Sequence, residues 1–449
     1  MQERKLKTST LMLYSLTDMP VMMSIFPAIV FIPRFYASEV GVPLALVGTF
    51  ILINRIIDVF TDPLMGFISD RTRSRFGRRR PWVVLAVPIL MLSIYKLYMP
   101  PESADGWYML TWMVLMGVGT TMMLIPYYAW GAELSSDYHE RSRITGWRAG
   151  MGSLGQLTAQ AVPAAALFFF ALGGSAVVLE LVGTTMLIIM PICVLLTVCF
   201  TPEPAQQVRS TVPVLPGLKL MLKNGPFLRL VLAFMIGSIG LNITTPLYIF
   251  FVAEVLGSEN ESVYMLICFY LASITAIPFW VWLASRIGKH KAYIASYFTI
   301  ALAHPFYLLL GEGDFWWMLP ITLATGFAAG GFSQTLPNSM KADVIDLDTL
   351  NSGENRAALF FSAWSFAQKA TASVGGAIAM FGLALWGFNA GGVNGESELF
   401  GLRFLFSTFP SIFFISGALI LWRYPINEER HAEIRADLAA KNAAGTTGL

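Results

Sequence analysis

Acidic and basic side chains stand close together inside one long apolar run, over residues 54–63 (NRIIDVFTDP). If the run is helical, Asp58 and Asp62 lie one turn apart on one face, and Arg55 precedes Asp58 on the same face. Two ionised carboxylates at that spacing repel each other, and a proton, a bound cation or a basic partner relieves the repulsion. Each of these makes the charge of the site depend on an ion, as a coupled transporter requires.

Structural roles are the alternatives for these charges. An ionisable side chain at the centre of a membrane-spanning helix costs about 2.5–3.5 kcal/mol on insertion scales, so its presence needs a reason. Asp62 could form a salt bridge with the arginines that follow it, whereas Asp58 should lie deeper. Lys369 stands near the middle of a later run, and the two carboxylates are its candidate partners. The alternative is a lysine whose long side chain reaches the membrane interface.

A second group of residues could bind a solute. Asp18 stands two residues before Pro20, and a proline frees a backbone carbonyl of the kind that often lines a cavity. The carboxylate could accept hydrogen bonds from substrate hydroxyls or make a helix-packing hydrogen bond. Arg148 could bind substrate or pair with an acid of a nearby loop. Tyr128 and Trp364 could stack on a sugar ring, although helix packing explains each of them alone.

These residues belong to twelve apolar runs, each close to the roughly 20 residues that a helix needs to cross the hydrocarbon core. The runs, called spans 1 to 12 below, lie near 10–34, 43–68, 81–99, 107–131, 144–171, 177–200, 227–254, 262–284, 291–311, 315–339, 357–386 and 401–423. Of the 449 residues, 55% are hydrophobic and only 13% are charged, whereas a soluble domain has about 25% charged residues. The composition therefore predicts an all-α membrane protein.

Lysine and arginine are concentrated in every second connection between the spans, and this pattern predicts the orientation in the membrane. Positive charge lies in the N-terminal segment, after spans 2, 4, 6, 8 and 10, and in the tail, and six arginines fall within 71–80 alone. The connections near 312–314 and 389–398 carry none. Both termini are therefore expected to be cytoplasmic, in a multi-pass protein of a bacterial inner (plasma) membrane. The first run lacks a small-residue cleavage pattern and is expected to be a spanning helix.

The two halves of the sequence repeat. The element at 66–80 (GFISDRTRSRFGRRR) follows span 2, and a weaker copy at 282–291 follows span 8. The predicted organisation is a six-helix half at 1–200, a central cytoplasmic loop at 201–226, a second six-helix half at 227–423 and a cytoplasmic tail at 424–449. Two parallel six-helix repeats resemble the major facilitator superfamily, which binds substrate at the midplane between its halves.

Four residues of the arginine-rich element at 66–80 are expected to gate the cytoplasmic side: Asp70, Arg71, Arg78 and Arg79. Their partners would be acids at the ends of neighbouring helices. Glu133 after span 4 and Asp343 after span 10 are the candidates.

The extended motif resembles the glycoside–pentoside–hexuronide:cation symporter family. The resemblance rests on Arg55, Asp58, Asp62-Pro63 and Gly66, followed by the arginine-rich loop that ends at Pro81-Trp82, and it covers essentially the whole chain. It implies that Asp58 and Asp62 bind a sodium, lithium or proton as the coupling cation, with Thr61 and Thr121 nearby and Lys369 beside the site. It also implies that Asp18 and Arg148 bind the sugar and that Tyr128 contacts it.

One position departs from the family pattern. The melibiose carrier of that family has an aspartate immediately before the Ile-Pro of span 4, where this chain has Leu124. An apolar side chain cannot accept the hydrogen bonds that hold a galactosyl ring, so galactoside specificity is not expected. The loss of a nearby carboxylate also makes a proton an alternative to sodium.

We therefore predict cation-coupled symport of a sugar, glycoside or uronide by alternating access, with Na⁺ or H⁺ as the coupling ion and no cofactor. The alternatives are a facilitative carrier and a symporter of a non-sugar organic solute. A membrane enzyme would need a nucleophile–base pair or a metal cluster within the spans, and the sequence shows neither. The expected partners are the small-molecule substrate and membrane lipid; the protein is expected to be a monomer without affinity for nucleic acid.

Overall fold

A computed structural model describes residues 6–135, 138–203, 224–352, 357–426 and 428–446, and these are α-helical with short turns. The all-α prediction is confirmed. Asp137, Arg356 and most of the predicted central loop lie outside the described residues. Eleven helical segments of the described chain are long and apolar enough to cross a membrane. The helix Ala357–Leu385, 29 residues long, stands where span 11 is predicted.

Span 1 is interrupted, and the other five spans of the first half are single helices. Span 1 comprises Thr8–Ser15, Asp18–Val30 and Ile32–Ser38, and spans 2 to 6 are Leu44–Arg71, Arg80–Tyr98, Gly106–Glu133, Tyr138–Phe170 and Ser175–Phe200. The interruption precedes Asp18, and Pro20 lies in the first turn of the helix that follows. A proline in the first turn of a helix is tolerated because the amide it lacks would have had no intrahelical acceptor.

The second half is also helical, with short 3₁₀ and π segments. Its α-helices are Gly225–Phe250 in span 7, Ser262–Ile287 in span 8, Lys289–Ala303 in span 9, Met318–Gly330 and Leu336–Ser352 in span 10, Ala357–Leu385 in span 11, Glu396–Phe406 and Phe409–Leu421 in span 12, and Glu428–Thr446 in the tail. A π turn, Gly331–Thr335, joins the two parts of span 10. The prediction ended span 10 too early, because its last helix continues beyond the apolar run.

The chain forms two compact units. One contains Met1–Ser210, Ser258–Ile267 and Gly387–Gly395, and the other contains Thr211–Gly257, Cys268–Trp386 and Glu396–Leu449. The short segment Ser258–Ile267 belongs to the first unit because Glu259 accepts hydrogen bonds there. The Arg34 guanidinium donates to its carboxylate at 2.8 Å, and the Ser175 amide does so at 3.0 Å.

Small residues allow the helices of each unit to touch through their backbones. A Cβ atom built on Gly155 of span 5 would lie 2.1 Å from the carbonyl oxygen of Met19 in span 1. In the second unit, a Cβ on Gly330 would lie 2.2 Å from the carbonyl oxygen of Ser273. Such close approach is typical of helices packed in lipid, where dispersion and weak polar contacts drive association in place of the hydrophobic effect.

Gly155 therefore provides a test of the packing. We expect Gly155→Ala to lower the free energy of unfolding by about 1–3 kcal/mol, because the added methyl group forces spans 1 and 5 apart. Thermal unfolding of the detergent-solubilised protein measures the change. Gly150→Ala on the same helix is the control, since a Cβ there meets nothing within 4 Å. Equal melting temperatures for the two variants would contradict this packing.

Candidate functional site

The carboxylates of span 2 lie where the sequence predicts, each with a polar partner. Asp58 is 7% exposed, and Arg55 Nη1 donates to its Oδ2 at 2.7 Å. Thr121 of span 4 donates its hydroxyl to Asp62 Oδ1 at 2.8 Å. Spans 2 and 4 thus bring together Asp58, Asp62 and Thr121, and the side chain of Arg55 contributes from the preceding turn.

Two further oxygens of span 2 face inward. Asn54 Oδ1 and Thr61 Oγ1 are buried and make no hydrogen bond within the described chain. A Cβ atom built on Gly117 of span 4 would lie 2.7 Å from Asn54 Oδ1 and 3.3 Å from Asp58 Oδ1. The amide oxygen of Asn54 and the carboxylate of Asp58 therefore approach the same point on span 4. The Asn54 oxygen is buried and has no hydrogen-bond donor within the described chain, which is costly, so this point is suited to a bound cation.

Asn54 begins the run at 54–63, but no role was predicted for it, and none was predicted for Gly117. A signal for Asn54 was present, because it precedes Asp58 by four residues and so lies on the same helical face. Gly117 gave no such signal, since its role depends on how closely spans 2 and 4 approach. Carboxylate, hydroxyl and amide oxygens together form a donor set that hard cations prefer.

The Asp18 carboxylate is held by two donors from other spans. It is 3% exposed. Arg148 of span 5 donates through Nε to Asp18 Oδ2 at 2.9 Å, and the Tyr127 hydroxyl of span 4 donates to the same oxygen at 2.8 Å. The partner of Arg148 is thus an acid inside the membrane span, and the pair neutralises two charges that lipid would not solvate.

Aromatic rings surround this ion pair. The guanidinium carbon of Arg148 lies 3.7 Å from the ring centroid of Tyr128 and 5.3 Å from that of Tyr127. The Tyr127 ring stacks on Tyr14 at 4.6 Å between centroids. The Tyr14 hydroxyl donates to the backbone carbonyl of Tyr127, and the Tyr127 hydroxyl oxygen also lies 2.8 Å from the backbone carbonyl oxygen of Tyr14. Tyr128 was predicted to contact the sugar, whereas no role was predicted for Tyr127, which holds Asp18 from span 4. Leu124, one turn before Tyr128, is half-buried.

The arginine-rich loop after span 2 closes on the ends of spans 4 and 6. Arg79 Nη2 donates to Glu133 Oε1 at 2.8 Å and to Asp70 Oδ1 at 2.5 Å, and Arg78 also donates to Glu133. The backbone amides of Arg78 and Arg79 both donate to Glu203 Oε1 at 2.6 Å.

Three of the four predicted loop residues meet in this network. The guanidinium of the fourth, Arg71, lies 3.7 Å above the ring of Phe67. Glu203 was not predicted, because it follows span 6 and shares no motif with the loop.

The second unit holds the other predicted residues. The Lys289 ammonium donates to Asp343 Oδ1 at 2.7 Å, and His431 of the tail helix lies 3.3 Å from the same carboxylate oxygen. Trp364 is buried against Phe234, with 4.3 Å between ring centroids. Lys369 is half-buried on the same helix as Trp364.

Lys341 is one of the cations that follow predicted span 10 in the sequence. In the structure it lies within the helix Leu336–Ser352 and is buried, because that helix continues past the apolar run.

The fold and the sequence are similar to those of known transporters. Residues 13–428 match the family described as MFS/sugar transport protein. The sodium-dependent lysophosphatidylcholine symporter 1 of Gallus gallus is 27% identical over 443 residues, 89% of this chain and 81% of the relative. The isoprimeverose transporter of Lactiplantibacillus pentosus is 26% identical over 440 residues, 96% of this chain and 91% of the relative.

A crystal structure of a mutant nucleoside transporter, NupG, superposes with a TM-score of 0.67 at 14% identity, covering 92% of this chain and 99% of that chain. This likeness confirms the predicted fold. The relatives are transporters by name, and the family match spans nearly the whole chain. This multi-pass membrane transporter, which is not an enzyme, therefore belongs to the MFS/sugar transport protein family of the major facilitator superfamily.

Proposed function

We propose that the chain is a cation-coupled symporter of a sugar, glycoside or uronide in a bacterial inner membrane. The observation that carries this proposal is the cluster of buried oxygens on spans 2 and 4. Asp58 and Asp62 supply negative charge, Thr121 contacts Asp62, and the Asn54 amide oxygen approaches the same point on Gly117 as Asp58. The buried Thr61 hydroxyl follows on the same helix. A cation bound there neutralises the repulsion between the carboxylates and competes with Arg55 for Asp58.

Sodium is the coupling ion that this donor set favours. A proton needs one carboxylate, whereas a dehydrated hard cation needs several oxygens, and neutral oxygens are present beside both acids. The Gallus gallus relative is named as sodium-dependent. A proton is the alternative, since Leu124 supplies no third carboxylate in span 4.

The substrate site is proposed around the Asp18–Arg148 pair. Its two charged groups, the half-buried Tyr128 ring and the Tyr127 hydroxyl offer the donors, acceptors and stacking faces that a sugar ring requires. A non-sugar, amphipathic solute is the second candidate. It is favoured by the apolar side chain at Leu124 and by a relative named as a lysophosphatidylcholine symporter.

In the proposed cycle, binding of the cation stabilises the conformation that takes up substrate, and both leave on the cytoplasmic side. The contacts of Arg78 and Arg79 with Glu133 hold the cytoplasmic end of the first unit and would have to rearrange as access alternates. The coupling role of Lys369 and the substrate contact of Trp364 remain predictions from the sequence.

Replacing Asp58 tests the coupling. We expect Asp58→Asn to abolish accumulation of a radiolabelled glycoside, pentoside or uronate in vesicles driven by an imposed sodium or pH gradient, because the neutral amide cannot bind the coupling cation in the same way. The two gradients are imposed separately, which identifies the ion. Glu102→Gln, in an exposed connection, is the matched control. Gradient-independent transport that is the same in Asp58→Asn and wild type would mean that the span 2 acids are structural.

Gly117 tests the position of the cation. We expect Gly117→Ala to raise the cation concentration for half-maximal uptake about tenfold, equal to about 1.4 kcal/mol of binding free energy. The added methyl group would displace the Asn54 amide from Asp58. Gly146→Ala is the control, since a Cβ there meets nothing within 4 Å. An unchanged cation dependence in Gly117→Ala would place the cation elsewhere.

A double-mutant cycle separates substrate binding by Asp18 and Arg148 from their structural role. Asp18→Asn and Arg148→Gln should each cost about 3–5 kcal/mol of stability, because either one leaves a buried charge unpaired. We expect the double variant to recover most of the melting temperature and to remain without substrate uptake. A double variant that transports at the wild-type rate would show that the pair is structural only.

A further inference from the structure

Lys341 is a buried cation that the proposed coupling site does not use. Its side chain lies in the second unit, on the helix Leu336–Ser352, and is 3% exposed. Within the described chain its ammonium has one hydrogen-bond acceptor, Asn338 Oδ1 at 2.8 Å. Two aromatic rings of span 11 also lie against it, with centroids at 4.3 Å for Phe361 and 4.9 Å for Trp364.

No carboxylate of the described residues pairs with this lysine. Asp343 is only two positions away, but residues separated by two do not share a helical face. Asp343 instead accepts from Lys289 at 2.7 Å, with His431 nearby. An ammonium has three donors, and among the described residues a neutral amide and two ring faces are the partners that Lys341 has. A buried charge is costly without a counter-ion, and the described carboxylates supply none to Lys341.

Two of the residues that contact the ammonium are themselves exposed. Asn338 is exposed, and Phe361 is 53% exposed, whereas Trp364 forms a closed wall backed by Phe234. The polar side chains that continue this exposed face along span 11 are Ser365 and Gln368. The cation thus lies at the inner edge of a surface that carries an amide, a hydroxyl and an aromatic ring.

We propose that Lys341 binds an oxyanion of the transported solute, with Asn338 and the exposed Phe361 ring contacting the adjoining part of that solute. The proposal rests on the proposed function, since it takes the cargo to be a polar organic molecule, and it narrows that cargo to one bearing a carboxylate or a phosphate. An oxyanion accepts the ammonium donors left free by Asn338 and supplies the missing negative charge. The aromatic wall suits the apolar face of a sugar ring or an alkyl segment beside it.

The test measures binding without a gradient, so that it does not depend on coupling. The purified full-length protein is titrated with D-glucose, D-glucuronate, D-glucose 6-phosphate and glycerophosphate, and the shift in melting temperature gives each half-saturating concentration. The neutral sugar and its two acidic derivatives separate recognition of charge from recognition of the ring. The carboxylate and the phosphates separate the two sources of oxyanion.

We expect at least one of the acidic solutes to bind more tightly than D-glucose, and Lys341→Gln to weaken that binding about tenfold or more while leaving D-glucose unaffected. Lys341→Arg, which keeps the charge, should restore most of the affinity and shows that Lys341→Gln does not act through misfolding. The control is Lys291→Gln, at an exposed position in the same unit. Unchanged binding of the acidic solutes in Lys341→Gln, or no binding of any of them to wild type, would overturn the proposal.

The variant Asp58→Asn distinguishes the proposal of cation coupling from the proposal of oxyanion binding at Lys341. If it loses gradient-driven uptake but binds the acidic solute like wild type, coupling and oxyanion recognition are both supported at separate places. Gradient-independent uptake together with selective loss of acidic solutes in Lys341→Gln would overturn the coupling proposal and leave the oxyanion site standing.

Discussion

Lipid offers neither hydrogen bonds nor counter-ions, so an ionised side chain within a span must be matched by another part of the chain or by a solute. Most of the charges described above obey this constraint inside their own unit. Asp58 is met by Arg55 and Asp18 by Arg148 in the first unit, and Lys289 is met by Asp343 in the second. The matched pairs stabilise the fold, and they also restrict which solutes can compete for the same groups.

The pairs differ in how easily a solute could open them. The Arg148–Asp18 pair has a second donor to the same oxygen from Tyr127 and a ring stacked on the guanidinium, so its geometry is fixed on several sides. Asp58 is held from within its own helix by Arg55, three residues away, whose side chain is a quarter exposed. A flexible intrahelical partner can be displaced without separating two helices. This difference favours Asp58 as the group that exchanges partners during transport and Asp18 as a preorganised one.

Sequence patterns predicted the fold well, because the length and spacing of apolar runs depend on one element at a time. Apolar run length gave the helices, and helical spacing placed Asp58, Asp62 and Arg55 on one face. The patterns could not give the contacts that depend on how helices are rotated and how closely they approach. Tyr127 and Tyr128 are adjacent in sequence, and only the packing of spans 1, 4 and 5 decides which of them meets Asp18. The same is true of Gly117, whose importance comes from the side chains that reach it.

Lys341 shows a different limit of sequence reasoning. A lysine at the end of an apolar run resembles a cytoplasmic loop cation, and the orientation rule counts it as one. The helix continues, however, and places the ammonium against aromatic rings.

Two features of the chain bear on the charge of the proposed solute. Leu124 stands where the melibiose carrier has an acid for binding sugar hydroxyls, which removes an acceptor from the first unit, and Lys341 adds a buried cation to the second. A neutral polyhydroxylated sugar brings no negative charge to the Lys341 ammonium. The proposal is that a solute carrying its own negative charge finds a partner for its oxyanion at Lys341. In the second unit this buried cation supports an acidic cargo, and in the first unit Leu124 separately removes the expectation of galactoside specificity.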